Sequence, residues 1–137
     1  MSYLVDTNVI SELRRKQPDA NVVAWLERCA PQSLYLSVLT LGEIRKGIER
    51  LDDLKRRQIL VDWLHVELTT FFLGRLISID ASVADRWGRL QSDASRSLPA
   101  IDGLLAATAL QYDLTMVTRN LKGFQGLGLK IINPWDV

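Results

Sequence analysis

Short apolar runs alternate with longer stretches of helical periodicity along this chain. Five runs have the length and continuous hydrophobicity of strands that are buried on both faces of a parallel sheet. They are Tyr3–Val5, Leu34–Ser37, Leu76–Ile79, Thr115–Thr118 and Leu129–Ile132. Between them, apolar residues recur at helical spacing, as in Val22, Trp25, Leu26 and Cys29. This alternation predicts an α/β fold: a three-layer α/β/α sandwich around a central, mostly parallel five-stranded sheet.

The segment Pro99–Tyr112 differs from the other predicted helices. Its central part, Gly103–Leu110, carries apolar or small residues all the way round, which predicts a helix buried in the middle of the fold. Pro99 is placed where the first turn of a helix accepts proline. No linker, repeat or low-complexity tract divides the chain, so we expect a single domain over residues 1–137.

Composition narrows the possible classes without identifying a function. The 137 residues are 47% hydrophobic and 24% charged, as in ordinary globular domains, and the net charge of +1 excludes a histone-like protein or a polyanionic tail. Cys29 is the only cysteine, so no internal disulfide can form. The longest stretch without a charge, Cys29–Gly42, is too short to span a bilayer, and the N-terminus has no signal-peptide pattern. We expect a soluble cytoplasmic protein with no membrane segment.

Four polar residues carry the candidate chemistry. Asp6 ends the first predicted strand and Asn120 follows the fourth. Ligands of open α/β sheets bind beyond the carboxyl ends of the strands, where these two residues are placed. Glu43 lies early in the helix after the second strand, and Asp102 lies in the first turn of the apolar helix. The positions favour one shared site.

Three carboxylates that share one site need positive charge nearby to neutralise them. A carboxylate beside a buried apolar helix must be paired or bind metal, and neighbouring carboxylates raise one another's pKa unless a cation neutralises them. Oxygen ligands without His or Cys suit Mg²⁺ or Mn²⁺ rather than zinc. Each residue alone also has a simpler interpretation: Asp6 as a helix N-cap, Glu43 as a solvated helix residue, and Asp102 as a partner of the helix dipole.

Several motifs, in order along nearly the whole chain, resemble those of the PIN-domain family. They are Asp6-Thr7-Asn8-Val9-Ile10-Ser11-Glu12, Leu41-Gly42-Glu43-Ile44, the run from Ile101 to Ala109, and Val117-Thr118-Arg119-Asn120. The closing segments Phe124–Gly128 and Asn133–Trp135 are similar to those of VapC-type ribonuclease toxins of bacterial toxin–antitoxin pairs. Any one motif is weak, but the four together are specific.

The resemblance implies a metal-dependent endoribonuclease that yields a 5′-phosphate and a 3′-hydroxyl. It places Mg²⁺ or Mn²⁺ on Asp6, Glu43 and Asp102, with Asn120 as a fourth catalytic residue. Many relatives carry an acid at the position of Asn120, at that of Gly123, or at both, whereas this chain has neither acid. With three carboxylates, either one or two ions remain possible.

Other residues near these motifs are candidates for orienting ligands and binding substrate. Thr7, Asn8 and Thr118 are polar groups that could orient the carboxylates or contact phosphate oxygens, or could simply serve turns and caps. Positive charge for an RNA substrate is expected from Arg45, Lys46 and Arg119, because each lies within about a turn of a proposed ligand. The remaining basic residues are candidates for contacts with a partner protein: Arg14-Arg15-Lys16, Arg50 with Lys55-Arg56-Arg57, and Lys122.

The expected partners follow from the resemblance. It implies a cognate antitoxin protein, and the predicted amphipathic helix pair between Leu39 and Leu73 offers apolar surface on which an antitoxin segment could pack, often with a basic side chain reaching the acids. We also expect a homodimer. The alternatives are a catalytically inactive PIN-like module that binds protein or RNA, and a phosphohydrolase with Asp6 as nucleophile. The latter is disfavoured because Asn8 stands where a second Asp is usual.

Three further features are interpreted as structural. Asp80 follows a predicted strand and precedes a helix, which is typical of an N-cap. His65 is expected to be a helix-surface or packing residue. The four tryptophans, Trp25, Trp63, Trp87 and Trp135, are interpreted as core or interface anchors.

Overall fold

Five parallel strands form the centre of the molecule in a computed structural model that describes residues 1–137. The spatial order of the strands is β3-β2-β1-β4-β5, and every neighbouring pair is parallel. The strands are β1 (Tyr3–Val5), β2 (Leu34–Ser37), β3 (Leu76–Ile77), β4 (Thr115–Val117) and β5 (Ile131–Ile132). All five predicted runs are therefore strands, and the sheet is wholly rather than mostly parallel. The last three strands are one or two residues shorter than the apolar runs suggested.

Helices cover the sheet between the strands. They are α1 (Thr7–Leu13), α2 (Ala20–Arg28), α3 (Val38–Glu49), α4 (Leu54–Asp62), α5 (Thr69–Phe71), α6 (Ala81–Asp93), α7 (Ala100–Gln111) and α8 (Leu121–Phe124). A 3₁₀ turn at Pro31–Ser33 precedes β2, and a π-helical segment at Trp63–Leu68 joins α4 to α5. None of these helices is both long enough and apolar enough to cross a membrane.

Two hydrophobic clusters lie on opposite faces of the sheet and make the fold three-layered. In β1 the fully buried Leu4 belongs to one cluster and its neighbour Val5 to the other, as the alternation of side chains along a strand requires. The larger cluster packs α1 to α4 and the π-helical segment against the sheet. The smaller one packs α7 and Phe124 against the other face. The predicted α/β/α sandwich is confirmed.

The central helix α7 is buried as its composition predicts, with Leu105, Ala106, Ala107 and Ala109 at most 1% exposed. Helix α6 packs closely along it. A Cβ atom at Gly103 would lie 2.9 Å from Gln91 Nε2 and 3.0 Å from Trp87 Nε1, so a larger residue would have to displace these side chains. This contact between α6 and α7 is adjacent to Asp102 and holds the first turn of α7 in place.

Candidate active site

Asp6 lies where β1 ends and α1 begins, at the carboxyl edge of the sheet. Its backbone N–H donates to the Val117 carbonyl at 3.0 Å, and its side chain caps α1 by accepting from the Thr7 N–H at 2.8 Å. The side chain is buried, with 7% of the residue exposed. Asp6 is therefore an N-cap, as the simpler interpretation held, and that role positions its carboxylate at the end of the central strand.

A fully buried threonine holds the second oxygen of this carboxylate. Thr118, the residue after β4, donates its hydroxyl to Asp6 Oδ2 at 2.8 Å. The same hydroxyl oxygen accepts from Asn8 Nδ2 at 3.1 Å and from the Asn120 N–H at 2.9 Å. Asn8 Nδ2 also donates to Asp6 Oδ2 at 3.3 Å. With two donors pointing at its oxygen, the Thr118 proton is directed toward Asp6, which fixes the orientation of that carboxylate.

Glu43 reaches the same edge from α3, in the helical layer on one face of the sheet. Thr7 Oγ1 donates to Glu43 Oε1 at 2.6 Å, across 36 residues of sequence. Thr7 thus contacts both acids, since its backbone N–H serves Asp6 and its hydroxyl serves Glu43. Glu43 is half-buried, and none of the ion pairs in the structure includes it.

Asp102 completes the acidic set from the opposite helical layer, in the first turn of α7. It is half-buried and does not cap the helix. The three acids therefore come from the sheet and from both helical layers, and they lie near one carboxyl edge, close enough for their charges to interact.

The electrostatics show that these carboxylates act on one another. Burial raises the pKa of Asp6, hydrogen bonds from Thr118 and Thr7 oppose that rise, and the charges of Glu43 and Asp102 add to it. Burial and the charge of Glu43 likewise raise the pKa of Asp102, while Arg96 lowers it. No ion pair neutralises any of the three acids. The site therefore has excess negative charge that a cation would relieve.

The donor chemistry fits a hard divalent cation, although the side chains do not form a ready-made cage. Carboxylate oxygens without His or Cys are the ligands that Mg²⁺ and Mn²⁺ prefer. No three His, Cys, Asp or Glu side chains in the protein lie close enough together to enclose an ion as they stand. Mg²⁺ commonly keeps several waters and takes only one or two carboxylates directly, so an open arrangement of acids still suits it.

Asn120 is exposed and its side chain is used locally. It caps the short helix α8, with Oδ1 accepting from the Gly123 N–H at 3.1 Å. A Cβ atom at Gly123 would lie 3.0 Å from the Asn120 amide carbon, so glycine at 123 makes room for this cap. The two departures from the family pattern, an amide at 120 and a glycine at 123, are thus one structural unit.

The predicted substrate-binding cations have different surroundings. Arg119 lies beside the site: its N–H donates to Asn8 Oδ1 at 3.2 Å, and its guanidinium lies 4.9 Å from the Trp135 ring centre. Arg45 is paired with Glu49 at 2.7 Å and also contacts His65. Lys46 is exposed and forms no ion pair.

Arg96 is a residue near the site that the sequence analysis missed. From the loop between α6 and α7 it donates to the Gly123 and Gln125 carbonyls at 3.1 and 3.0 Å. It thereby ties the α8 turn to the loop that leads into Asp102, and its charge acts on that acid. Nothing in Ser95-Arg96-Ser97 indicates this, because the contact depends on how two distant loops pack.

Asp80, His65 and three of the four tryptophans have the structural roles expected of them. Asp80 caps α6 by accepting from the Val83 N–H at 2.9 Å, and hydrogen bonds from Tyr112 and Ser82 lower its pKa to about 2. His65 is exposed on the π-helical segment. Trp25 is buried in the larger cluster, and Trp63 and Trp135 pack against that cluster.

Comparison with known proteins agrees with this geometry. The sequence profile of the PIN domain matches residues 3–127. The toxin FitB of Neisseria gonorrhoeae is 38% identical over 96% of this chain and 97% of its own length. The VapC ribonuclease Y4jK of Sinorhizobium fredii is 37% identical over 97% of each chain. The crystal structure of FitAcB from Neisseria gonorrhoeae superposes with a TM-score of 0.94 at 37% identity, covering 98% of this chain and 99% of that one. The chain belongs to the PIN-domain family, as its motifs indicated.

Proposed function

We propose that this protein is a metal-dependent endoribonuclease that acts as the toxin of a toxin–antitoxin pair. The observation that carries the proposal is that Asp6, Glu43 and Asp102 lie at one carboxyl edge of a parallel sheet, where burial and, to a smaller extent, the neighbouring acids raise the pKa of Asp6 and of Asp102. Membership of the PIN-domain family, and relatives named as a toxin and a ribonuclease, support the same conclusion.

Asp6, Glu43 and Asp102 would hold the metal. Their oxygens suit Mg²⁺ or Mn²⁺, and the electrostatic cost of keeping all three ionised together favours a cation among them. When bound, such an ion supplies Lewis acidity at the scissile phosphodiester and lowers the pKa of the attacking water.

The protein's own residues position these groups. Thr118 and the Thr7 N–H hold the two Asp6 oxygens, and the Thr7 hydroxyl holds Glu43, so rotation of both carboxylates is restricted. Asn8 braces Thr118 and the Arg119 backbone. One carboxylate of the set would also accept the proton of the attacking water. Asn120, whose amide caps α8, is proposed as a fourth residue beside the reacting phosphate.

Positive side chains near the acids would hold the RNA. Arg119 is proposed to contact phosphate, because it lies beside Asn8 at the edge of the site and its guanidinium is already oriented on Trp135. Lys46 and Arg45 on α3 are proposed as more distant contacts, with Arg45 shared between RNA and Glu49.

The test compares cleavage of a mixed RNA pool in Mg²⁺, in Mn²⁺ and in EDTA, by the parent protein and by Asp6→Asn. Asp80→Asn is the matched control, because Asp80 is also an aspartate N-cap but lies outside the site. We expect cleavage in both metals, none in EDTA, none by Asp6→Asn, and parental activity for Asp80→Asn.

Cleavage that persists in EDTA, or an Asp6→Asn protein as active as the parent, would contradict the mechanism. Because trace ribonucleases contaminate such preparations, the comparison between the two variants is weighted above the chelator. A parent protein that binds RNA or protein but never cleaves would favour the alternative of an inactive PIN-like module.

An apolar groove is the proposed binding surface for the antitoxin. It is lined by Ile10 and Leu13 of α1, Leu26 of α2, and Trp63 and Phe71 from the segment after α4, with a volume of about 410 Å³. Its only charged lining residues are Glu27 and Glu67. We therefore expect an amphipathic antitoxin segment with apolar side chains in the groove and basic residues beside the two glutamates.

A second copy of the chain is proposed to pack on the helical segment after residue 54. Ile59, Val66 and Leu73 recur at intervals of seven and are 52%, 62% and 79% exposed, which is unusual for a row of large apolar side chains. Sedimentation should show a dimer, and a monomer at all concentrations would contradict this. An RNA substrate and a co-expressed antitoxin both imply action in the cytoplasm.

A further inference from the structure

A second groove, distinct from the apolar one, begins at Glu43. It has a volume of about 310 Å³ and runs between α1 and the α3–α4 pair. Its charged lining residues are Glu43 at one side and three arginines, Arg14, Arg15 and Arg56. We call it the arginine groove. It is continuous with the acidic site, because Glu43 belongs to both.

Arg14 is held in a way that suits an anionic ligand. Its guanidinium lies 4.9 Å from the centre of the Trp63 ring, which fixes the plane of the charged group. Its Nε atom is buried and has no hydrogen-bond partner. The buried Nε donor is not satisfied within the protein, and the charge of the guanidinium is available for charge-assisted hydrogen bonds to an anion in the groove.

Arg56 is brought next to Arg14 by the backbone. Its Nη2 donates to the Arg14 carbonyl at 3.4 Å, so the two guanidinium groups belong to one wall of the groove although they are 42 residues apart. Neither side chain forms an ion pair, whereas Arg15 is paired with the buried Glu12 at 3.3 Å. Two uncompensated cations therefore face the groove.

The lining also contains apolar surface that a small anion would not use. Ile44, Leu60 and Trp63 form part of the wall, and nothing lies within 4 Å of the position that a Cβ atom would occupy at Gly47. This combination suits a single nucleic-acid strand. Its phosphates bind the cations, while its sugars and bases pack on the apolar and aromatic wall.

We propose that Arg14 and Arg56 bind backbone phosphates of the RNA strand next to the scissile phosphodiester, with the neighbouring nucleotide lying along Trp63. This rests on the proposed ribonuclease function and assigns its substrate path. The path differs from that expected from the sequence, which favours Arg45, Lys46 and Arg119 as the substrate contacts.

The experiment measures binding of a labelled single-stranded RNA to Arg14→Met and Arg56→Met proteins that also carry Asp6→Asn to prevent cleavage. Methionine keeps the aliphatic stem and removes the charge. Arg28→Met is the matched control, because Arg28 lines a cavity with Met1 and Tyr3 at the opposite end of β1. Each groove variant should weaken binding about tenfold and reduce the slope of log K against log salt by about 0.7, the value for one lost contact to single-stranded nucleic acid.

Steady-state cleavage by the same substitutions in the active protein separates binding from chemistry. We expect KM to rise about tenfold while kcat stays within about twofold of the parent, and Arg14→Lys to recover part of the loss. The exposed Arg56 provides an independent measurement if Arg14→Met should fail to fold.

Two results would overturn the proposal while leaving the ribonuclease function intact. In the first, the parent protein binds and cleaves RNA, and the groove variants do so equally well. The other is retained RNA binding by the groove variants with loss of antitoxin binding, which would assign the groove to a protein segment. A parent protein that neither binds nor cleaves RNA would instead refute the proposed function itself.

Discussion

The apolar groove and the arginine groove meet at Trp63, which lines both, yet they have opposite chemistry. Helix α1 and its C-cap residue Arg14 show how this arises within a few residues. Ile10 and Leu13 line the apolar groove, while Ser11 and Arg14 line the arginine groove. Residues three apart share a face of a helix, so one short helix presents an apolar face to one groove and a polar face to the other.

The charges reinforce the difference. Glutamates are the only charged residues of the apolar groove, whereas the arginine groove has the unpaired Arg14 and Arg56 and a single acid, Glu43. The two surfaces are therefore suited to different ligands, a basic amphipathic segment for the first and an anionic strand for the second. Substitutions confined to one face of α1 should affect one ligand and leave the other unchanged.

The largest expected effect concerns the acids themselves and leaves the apolar groove untouched. Asp102→Asn should reduce RNA cleavage by more than ~100-fold, since altering even the groups that support metal ligands costs ~10–100-fold. Asn120→Ala should reduce cleavage by less than ~10-fold, because its amide is engaged in capping α8. Single-turnover kinetics would measure both.

Binding of the antitoxin by Asp102→Asn should equal that of the parent. Equal losses of cleavage in the two variants would show that Asn120 is as essential as a carboxylate ligand, and would contradict its assignment as mainly a cap.

An intermediate effect is expected from a charge placed in the apolar groove. Leu13→Glu should weaken antitoxin binding ~30-fold, corresponding to ~2 kcal/mol for a central interface side chain, because a carboxylate would be buried near Glu27 and Glu67. Cleavage by the free protein should not change. Titration calorimetry and the RNA cleavage assay would measure the two effects.

Leu54→Glu is the matched control, since Leu54 is 69% exposed and lines neither groove. If both glutamate variants bind the antitoxin as the parent does, the antitoxin surface lies elsewhere.

The smallest effect is on stability and follows from the raised pKa of Asp6. A carboxyl whose pKa is higher in the folded than in the unfolded state binds protons more tightly when folded, so its contribution to stability is present at acid pH and is lost as pH rises through the folded pKa. The ionised Asp6 carboxylate therefore destabilises the folded protein at neutral pH, and Asp6→Asn removes that destabilisation. In EDTA, the variant should therefore melt a few degrees above the parent at pH 7.

Thermal melts across a pH series would measure that difference, which should shrink toward pH 4. Saturating Mg²⁺ should stabilise the parent and not the variant. A variant that melts below the parent at every pH would show that the hydrogen bonds of Asp6 outweigh its electrostatic cost.

Much of the fold and part of the site could be predicted because they depend on local or periodic signals. The five strands, the buried helix α7 and the Asp80 cap each follow from a few neighbouring residues. Asp6 could be assigned to the carboxyl edge because it follows a strand, and Asp102 because a helix that connects parallel strands begins at that edge. The surroundings of Arg45 and Asn120 were missed although their signals are local: Glu49 lies four residues after Arg45, and Asn120 caps the helix that contains Gly123, so each side chain has a partner that competes with the site.

The sequence by itself determined the order of the elements, the parallel sheet and the three acids, since hydrophobic periodicity decides which faces are buried and strand ends decide where ligands meet. Only the tertiary structure decided that Thr7 joins Asp6 to Glu43, that Arg96 ties the α8 turn to the loop before Asp102, and that Arg14 and Arg56 share a wall. These contacts depend on how layers distant in sequence pack, and the direction of a long polar side chain is set by that packing rather than by its neighbours along the chain.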